Sequence, residues 1–73
     1  MNTIQLNFVM DLLGFTAINR REAIKQVIID EASAYSAELF GSLPKNTIRR
    51  DCVKCCEKWT ECLEIANFVR ENI

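Results

Sequence analysis

The chain has 73 residues, a net charge of −1, no histidine, only two glycines, and an apolar content of 49%. That length gives one domain near the lower limit for a self-sufficient core, so so much apolar surface implies either an unusually rich core or a face meant for another chain. The near-zero charge supplies no global field for nucleic acid or an acidic membrane, and no apolar run approaches the ~18–20 residues of a membrane span.

Residues 3–13 carry two patterns. Ile4, Leu6, Phe8 and Met10 alternate as in a strand, whereas Ile4, Phe8, Val9, Leu12 and Leu13 fit one face of a helix. Thr3 as N-cap and Gly14 as C-cap favour the helix, and a lone strand would have no partner elsewhere; the helix leaves Leu6 and Met10 partly off its face. A second helix is predicted from Asn19 to about Phe40. Asn19 with Glu22 forms a capping-box-like pair, and Ile18 with Ala23 can form the staple across it. Ile24, Val27, Ile28, Tyr35 and Leu39 make its apolar face, supplemented by Ala32, Ala34 and Ala37. Gly41 is placed at C′, Leu43 at C″ and Pro44 in the first turn of the next helix.

The third helix, residues 44–73, carries the strongest signal. Ile48, Cys52, Cys55, Trp59, Cys62, Ala66, Val69 and Ile73 follow one another at alternating steps of four and three, a stripe roughly 100° wide. Lys54, Glu57, Lys58, Glu61 and Glu64 fall outside it. The helix would be about 45 Å long at 1.5 Å per residue, so the rest of the chain must fold back along it.

Cys52, Cys55, Cys56 and Cys62 are spread over about 15 Å of one helix, too far to bind a single zinc ion through all four sulfurs, and no histidine completes a smaller site. A twin-cysteine hairpin would need a matching pair on the second helix, which has none. The four are read as small apolar core residues, with no metal and no cofactor expected. Without histidine or a glycine-rich phosphate loop, catalysis is not expected either.

Two features lie outside a simple core pattern. Lys45, Arg49, Arg50, Lys54 and Lys58 crowd the start of the third helix, where cations oppose the macrodipole and where free N–H groups with nearby arginines make an anion site. Arg20 and Arg21 open the second helix with the same misfit and, in an antiparallel hairpin, lie at the opposite end. Val53, Ile65 and Phe68 depart from the main stripe and, with Ile29 on the second helix, mark a contact with another chain.

Pro44, Arg50-Asp51, Lys58, Trp59, Glu61 and Ala66-Asn67 followed by Arg70, with Glu22-Ala23-Ile24-Lys25 upstream, resemble the small phage sponges that sequester cyclic oligonucleotides and blunt CBASS-type immunity. The resemblance covers roughly residues 20 to 70. It departs at Ile65, where that family has Trp, and in a second helix about two turns longer. It implies a compact helical oligomer with pockets between subunits, lined by basic and aromatic side chains. Arg50 carries over as a phosphate ligand; Lys45, Arg49 and Tyr35 are added from position and chemistry.

A helix-turn-helix over Ala37–Arg50 is the competing pattern, but Gly41 to Ile48 is one residue long for it and the charge is negative where DNA binders are basic, so DNA is not the expected partner. No basic segment followed by a clean apolar stretch marks a signal peptide, so a cytoplasmic protein with reduced cysteines is expected. The expected fold over 1–73 is all-α: three helices, a short N-terminal one packed on a long antiparallel hairpin, in a homo-oligomer. The expected function is binding without catalysis. Its object is a cyclic oligonucleotide held by Arg50, Arg49, Lys45 and Tyr35, or a host protein held by Ile65, Phe68, Val53 and Ile29.

Overall fold

Four helices, with no strand among the described residues, form the computed structural model, which describes residues 1–72: α1 (Thr3–Leu12), α2 (Ile18–Ile28), α3 (Ala34–Phe40) and α4 (Thr47–Asn72). The all-α class holds, with one helix more than the sequence pattern suggests. Ile73, the last member of the predicted stripe, lies outside the described residues.

The ambiguity over residues 3–13 resolves to helix. Asn2, not Thr3, is the cap: its Oδ1 accepts from the Gln5 amide at 2.8 Å, and the Gln5 Oε1 accepts from the Asn2 amide at 2.9 Å. At the other end Gly14 takes φ +75. Its N–H donates to the Asp11 carbonyl at 3.1 Å, and that of Phe15 to Met10 at 3.0 Å, the two return bonds of a Schellman ending. This turn delivers Phe15 into the core. It also fixes which side of α1 faces inward. Leu6, Val9 and Met10 are buried and Leu13 packs partly buried beside them, while Ile4, Phe8 and Leu12 point out, so of the predicted face only Val9 and Leu13 turn inward. Leu6, Val9, Met10 and Leu13 are themselves spaced i, i+3, i+4, i+7, so α1 has two apolar sides and the turn selects one.

The predicted 19–40 helix is two helices. Ile29 ends α2, Glu31 adopts φ +60, the Ala32 N–H turns back to the Gln26 carbonyl at 2.9 Å, and Ser33 restarts the helix by accepting from the Ser36 amide at 3.1 Å. Ser33 offers α3 a cap that an uninterrupted helix would waste. The start of α2 also differs: Ala17 is the N-cap, with no side-chain bond, and Asn19 accepts from the Arg20 amide instead of capping. After the break, Ala37 and Glu38 turn inward while Tyr35 and Leu39 turn outward, so neither belongs to the core as the longer helix had placed them. At the end of α3 the left-handed residue is Ser42 (φ +54), not Gly41. The Leu43 amide reaches the Glu38 carbonyl at 2.9 Å. A Cβ at Gly41 would sit 3.2 Å from the Leu43 Cδ1, so a larger residue there would make Leu43 shift by a few tenths of an ångström. α4 begins at Thr47, three residues beyond Pro44.

α2 and α3 pack on each other and on α4, and α1 closes the bundle against α4 and α2. Leu6, Val9, Met10, Phe15, Ala23, Ile24, Ala37, Ile48, Cys52 and Cys55 form the core. All of its α4 members lie in the first half of that helix; from Cys56 onward no described residue is buried. A 26-residue helix is about 39 Å long, and the molecule is accordingly 47 Å along one axis and 21 and 19 Å along the others. The second half of α4 projects beyond the three helices that cover the first. A Cβ on Gly14 would meet nothing within 4 Å. Gly14→Ala should therefore cost only the strain of a Cβ on left-handed backbone, about 1–2 kcal/mol in urea denaturation, and an unchanged midpoint would contradict the left-handed ending.

Candidate functional site

The start of α4 is the predicted anion site, and the chain itself supplies an anion there. Glu38 is 5% exposed, and its Oε2 accepts from the Ile48 N–H at 2.9 Å. The break before α3 and the tight turn after it bring this carboxylate beneath the first turn of α4, where it satisfies an orphan donor and complements the positive end of the macrodipole. One turn on, Asp51 is buried and held by Arg20 of α2 in a two-pronged pair, Nε to Oδ2 at 2.6 Å and the second guanidinium nitrogen to Oδ1 at 2.7 Å. The guanidinium lies 4.2 Å from the centre of the Phe15 ring. These hydrogen bonds raise the Arg20 pKa above its ordinary value, with burial opposing.

Arg20 is therefore not a misfit at a remote end of a hairpin. It reaches Asp51, next in sequence to Arg50, because α2 is short and its start lies beside the first half of α4. Arg21 is internal as well: it donates to Asp11 at 2.6 Å and to the carbonyls of Phe15 at 2.8 Å and Asn7 at 3.2 Å, tying α2 to α1.

The four predicted ligand residues line two different recesses. Arg49 and Arg50 are exposed on α4 and, with Val53 and Lys54, outline a shallow recess of about 350 Å³. Tyr35 and Lys45 border a separate recess of about 120 Å³ with Glu38, Leu39 and Leu43. Lys45, Arg49, Arg50 and Lys54 make no side-chain hydrogen bond or ion pair among the described residues. The helix-turn-helix pattern gains nothing, since the connection 41–46 exceeds the three or four residues of that motif.

Three of the four predicted contact residues are exposed: Val53 at 52%, Ile65 at 57% and Phe68 at 65%. Ile29 is not among them; it ends α2 half-buried against the core. Leu63 and Val69 are also open on the projecting half of α4, although their place on or beside the stripe had suggested burial. Sequence reasoning missed one groove, of about 570 Å³ between α2 and α3, with Ile18 and Phe40 at its rim and Ala23 and Ala37 among its lining residues. It exists only because the helix breaks at 29–33.

Cys52 and Cys55 are core residues, as their positions suggested, but Cys56 is exposed and Cys62 half-exposed. Burial pushes the Cys52 thiol from 9.0 up to about 12 and that of Cys55 to about 11. Among the described residues no three His, Cys, Asp or Glu side chains gather as a metal set, and no helix is long and apolar enough to cross a membrane. Comparison with protein-family models, with curated proteins and with solved structures returned no match.

Arg20→Ala would leave a carboxylate with 3% side-chain exposure unpaired, whereas Asp51→Ala would leave a guanidinium that is one-third exposed. The first should cost about 3–5 kcal/mol in urea denaturation and the second distinctly less; equal losses would contradict the buried pair. The raised thiols favour the folded state while protonated. Their contribution is full below pH 9 and is lost as pH rises through about 11 to 12. In native protein at pH 8 a thiol reagent should label Cys56 and Cys62 quickly and Cys52 and Cys55 only on unfolding. Rapid labelling of all four would contradict this core.

Proposed function

We propose that this chain is a non-catalytic binding module whose working surface is the projecting second half of α4, acting on a protein partner that it inhibits or adapts. The observation that carries the proposal is the exposure of Leu63, Ile65, Phe68 and Val69 on a length of helix where no described residue is buried. Because it propagates from the packed first half of α4, this stretch needs no nucleus of its own and presents its apolar side chains already ordered. An interacting role also agrees with the remaining chemistry. The chain has no histidine, and its two pKa-shifted thiols are raised and buried, the opposite of an activated nucleophile.

A second reading, sequestration of a cyclic oligonucleotide, is supported by the three cations Arg49, Arg50 and Lys54 around Val53. They have no internal carboxylate partner among the described residues, in a molecule that pairs Arg20 and Arg21 with care. The internal carboxylate of Glu38 at the helix start argues for a ligand held by side chains on the α4 surface, not at its N-terminus.

The two are separated by paired variants of the purified chain. Ile65→Asp and Phe68→Asp should abolish stoichiometric capture of a co-expressed protein partner while leaving helix content unchanged. Arg50→Ala should leave that capture intact. If instead native mass spectrometry finds nucleotide-sized mass on the wild type that Arg50→Ala removes, and Ile65→Asp and Phe68→Asp have no effect on any binding, the sponge is correct and the protein-binding surface is not.

A further inference from the structure

We propose that the apolar seam on the projecting half of α4 is filled by the same seam of a second copy running antiparallel, giving a closed two-fold dimer. This rests on the second half of α4 being a binding surface and names its first occupant. Along α4, Ile48, Cys52 and Cys55 are buried under the other helices. At 100° per residue, Cys62, Ala66 and Val69 lie within about 40° of the direction of Cys55. With Cys62 and Ala66 half-exposed and Val69 exposed, the tail thus offers the same side that the first half offers to α1–α3. The molecule is a step: a body on one side of a helix, then bare helix facing the same way. A second copy turned end for end fits that step. Its tail lies against the first tail, and each body continues past the tip of the other. The contact is self-complementary and closes at two chains.

The side chains suit such a seam. With the two-fold near residue 64, Cys62 meets the partner's Ala66, and the half-buried Trp59 meets the partner's Val69. Small residues at the centre let the helices approach, larger ones close the ends, and Leu63 and Ile65 flank the contact on either side. The charges are placed to permit it. Glu61, Glu64 and Glu71 lie about 120° to 180° from the seam and stay in water; Lys58 and Arg70 lie about 60° from it, at its edges, where their long stems reach water, and Lys58 already pairs with Glu61 at 3.2 Å. A seam of about three turns from each copy, already partly buried at Trp59, Cys62 and Ala66, buries less than about 1,000 Å² in total, below the usual range of stable interfaces, so the dimer should be weak and concentration-dependent.

The test is analytical ultracentrifugation of the full chain under reducing conditions over a wide concentration range. The mass should rise from one chain to two. Val69→Asp, an exposed position, should weaken the dimer at least roughly tenfold with circular dichroism unchanged, whereas Phe68→Asp, about 140° from the seam, should not. Ala66→Cys should form on oxidation a covalent dimer whose disulfide maps from Cys62 to the new cysteine at 66. Two wild-type Cys62 residues would be offset by about 6 Å along the axis and should not join. A chain that stays monomeric throughout, a dimer indifferent to Val69→Asp, or a mapped Cys62–Cys62 disulfide would overturn the proposal. A strict monomer whose capture of a protein partner is still lost on Ile65→Asp would overturn the second copy alone and leave the binding surface standing.

Discussion

The bundle depends on one buried ion pair. Asp51 sits on the inward side of α4, in line with Ile48, Cys52 and Cys55, where a carboxylate could not remain without a partner. Arg20 reaches it from α2 with two short hydrogen bonds, while Phe15, delivered by the turn after α1, lies against the guanidinium. Three helices are thereby registered at one point. Such a pair adds little net stability over an apolar replacement, but it penalises every packing in which the carboxylate is buried elsewhere. One further short helix, α3, joins α2 to the start of α4. That helix carries Glu38 to the Ile48 amide.

The charges then sort into two groups. Asp11, Arg20, Arg21, Glu38 and Asp51 hold the chain to itself. Lys45, Arg49, Arg50 and Lys54 do not, and they occupy the outer side of the fold around the first turns of α4. Apolar residues divide in the same way. The first half of α4 spends its stripe on α1, α2 and α3, and the second half carries the same stripe into solvent. A single long helix is therefore both the spine of the core and an unfilled surface. That division supports assembly with another chain without requiring the body to rearrange.

Much of this was legible in the sequence, and the misses share a cause. The long terminal helix, its stripe and the core role of Cys52 and Cys55 follow from periodicity alone, because a 3.6-residue repeat over seven turns has few other solutions. The exposed Val53, Ile65 and Phe68 follow from the same wheel. Periodicity failed where two apolar sides compete, as in α1, where Leu6 and Met10 went inward and Ile4, Phe8 and Leu12 outward. It failed again where a polar break is weak. Asp30, Glu31 and Ser33 contain no glycine or proline, yet Glu31 takes a left-handed φ and Ser33 caps a new helix. The pairing of Arg20 with Asp51 crosses 31 residues, so no local rule could find it. The ligand residues were chosen by charge and chemistry along the chain, and in the fold Tyr35 and Lys45 border one recess while Arg49 and Arg50 border another.

The central claim is that the second half of α4 is completed by a chain other than its own. The most direct measurement is amide hydrogen exchange along α4 as a function of protein concentration. In dilute solution, residues 60–72 should exchange rapidly while Ile48, Cys52 and Cys55 remain protected, and protection of the tail alone should rise with concentration. A tail as protected as the body at every dilution, or unprotected at every concentration and beside every partner, would contradict the account.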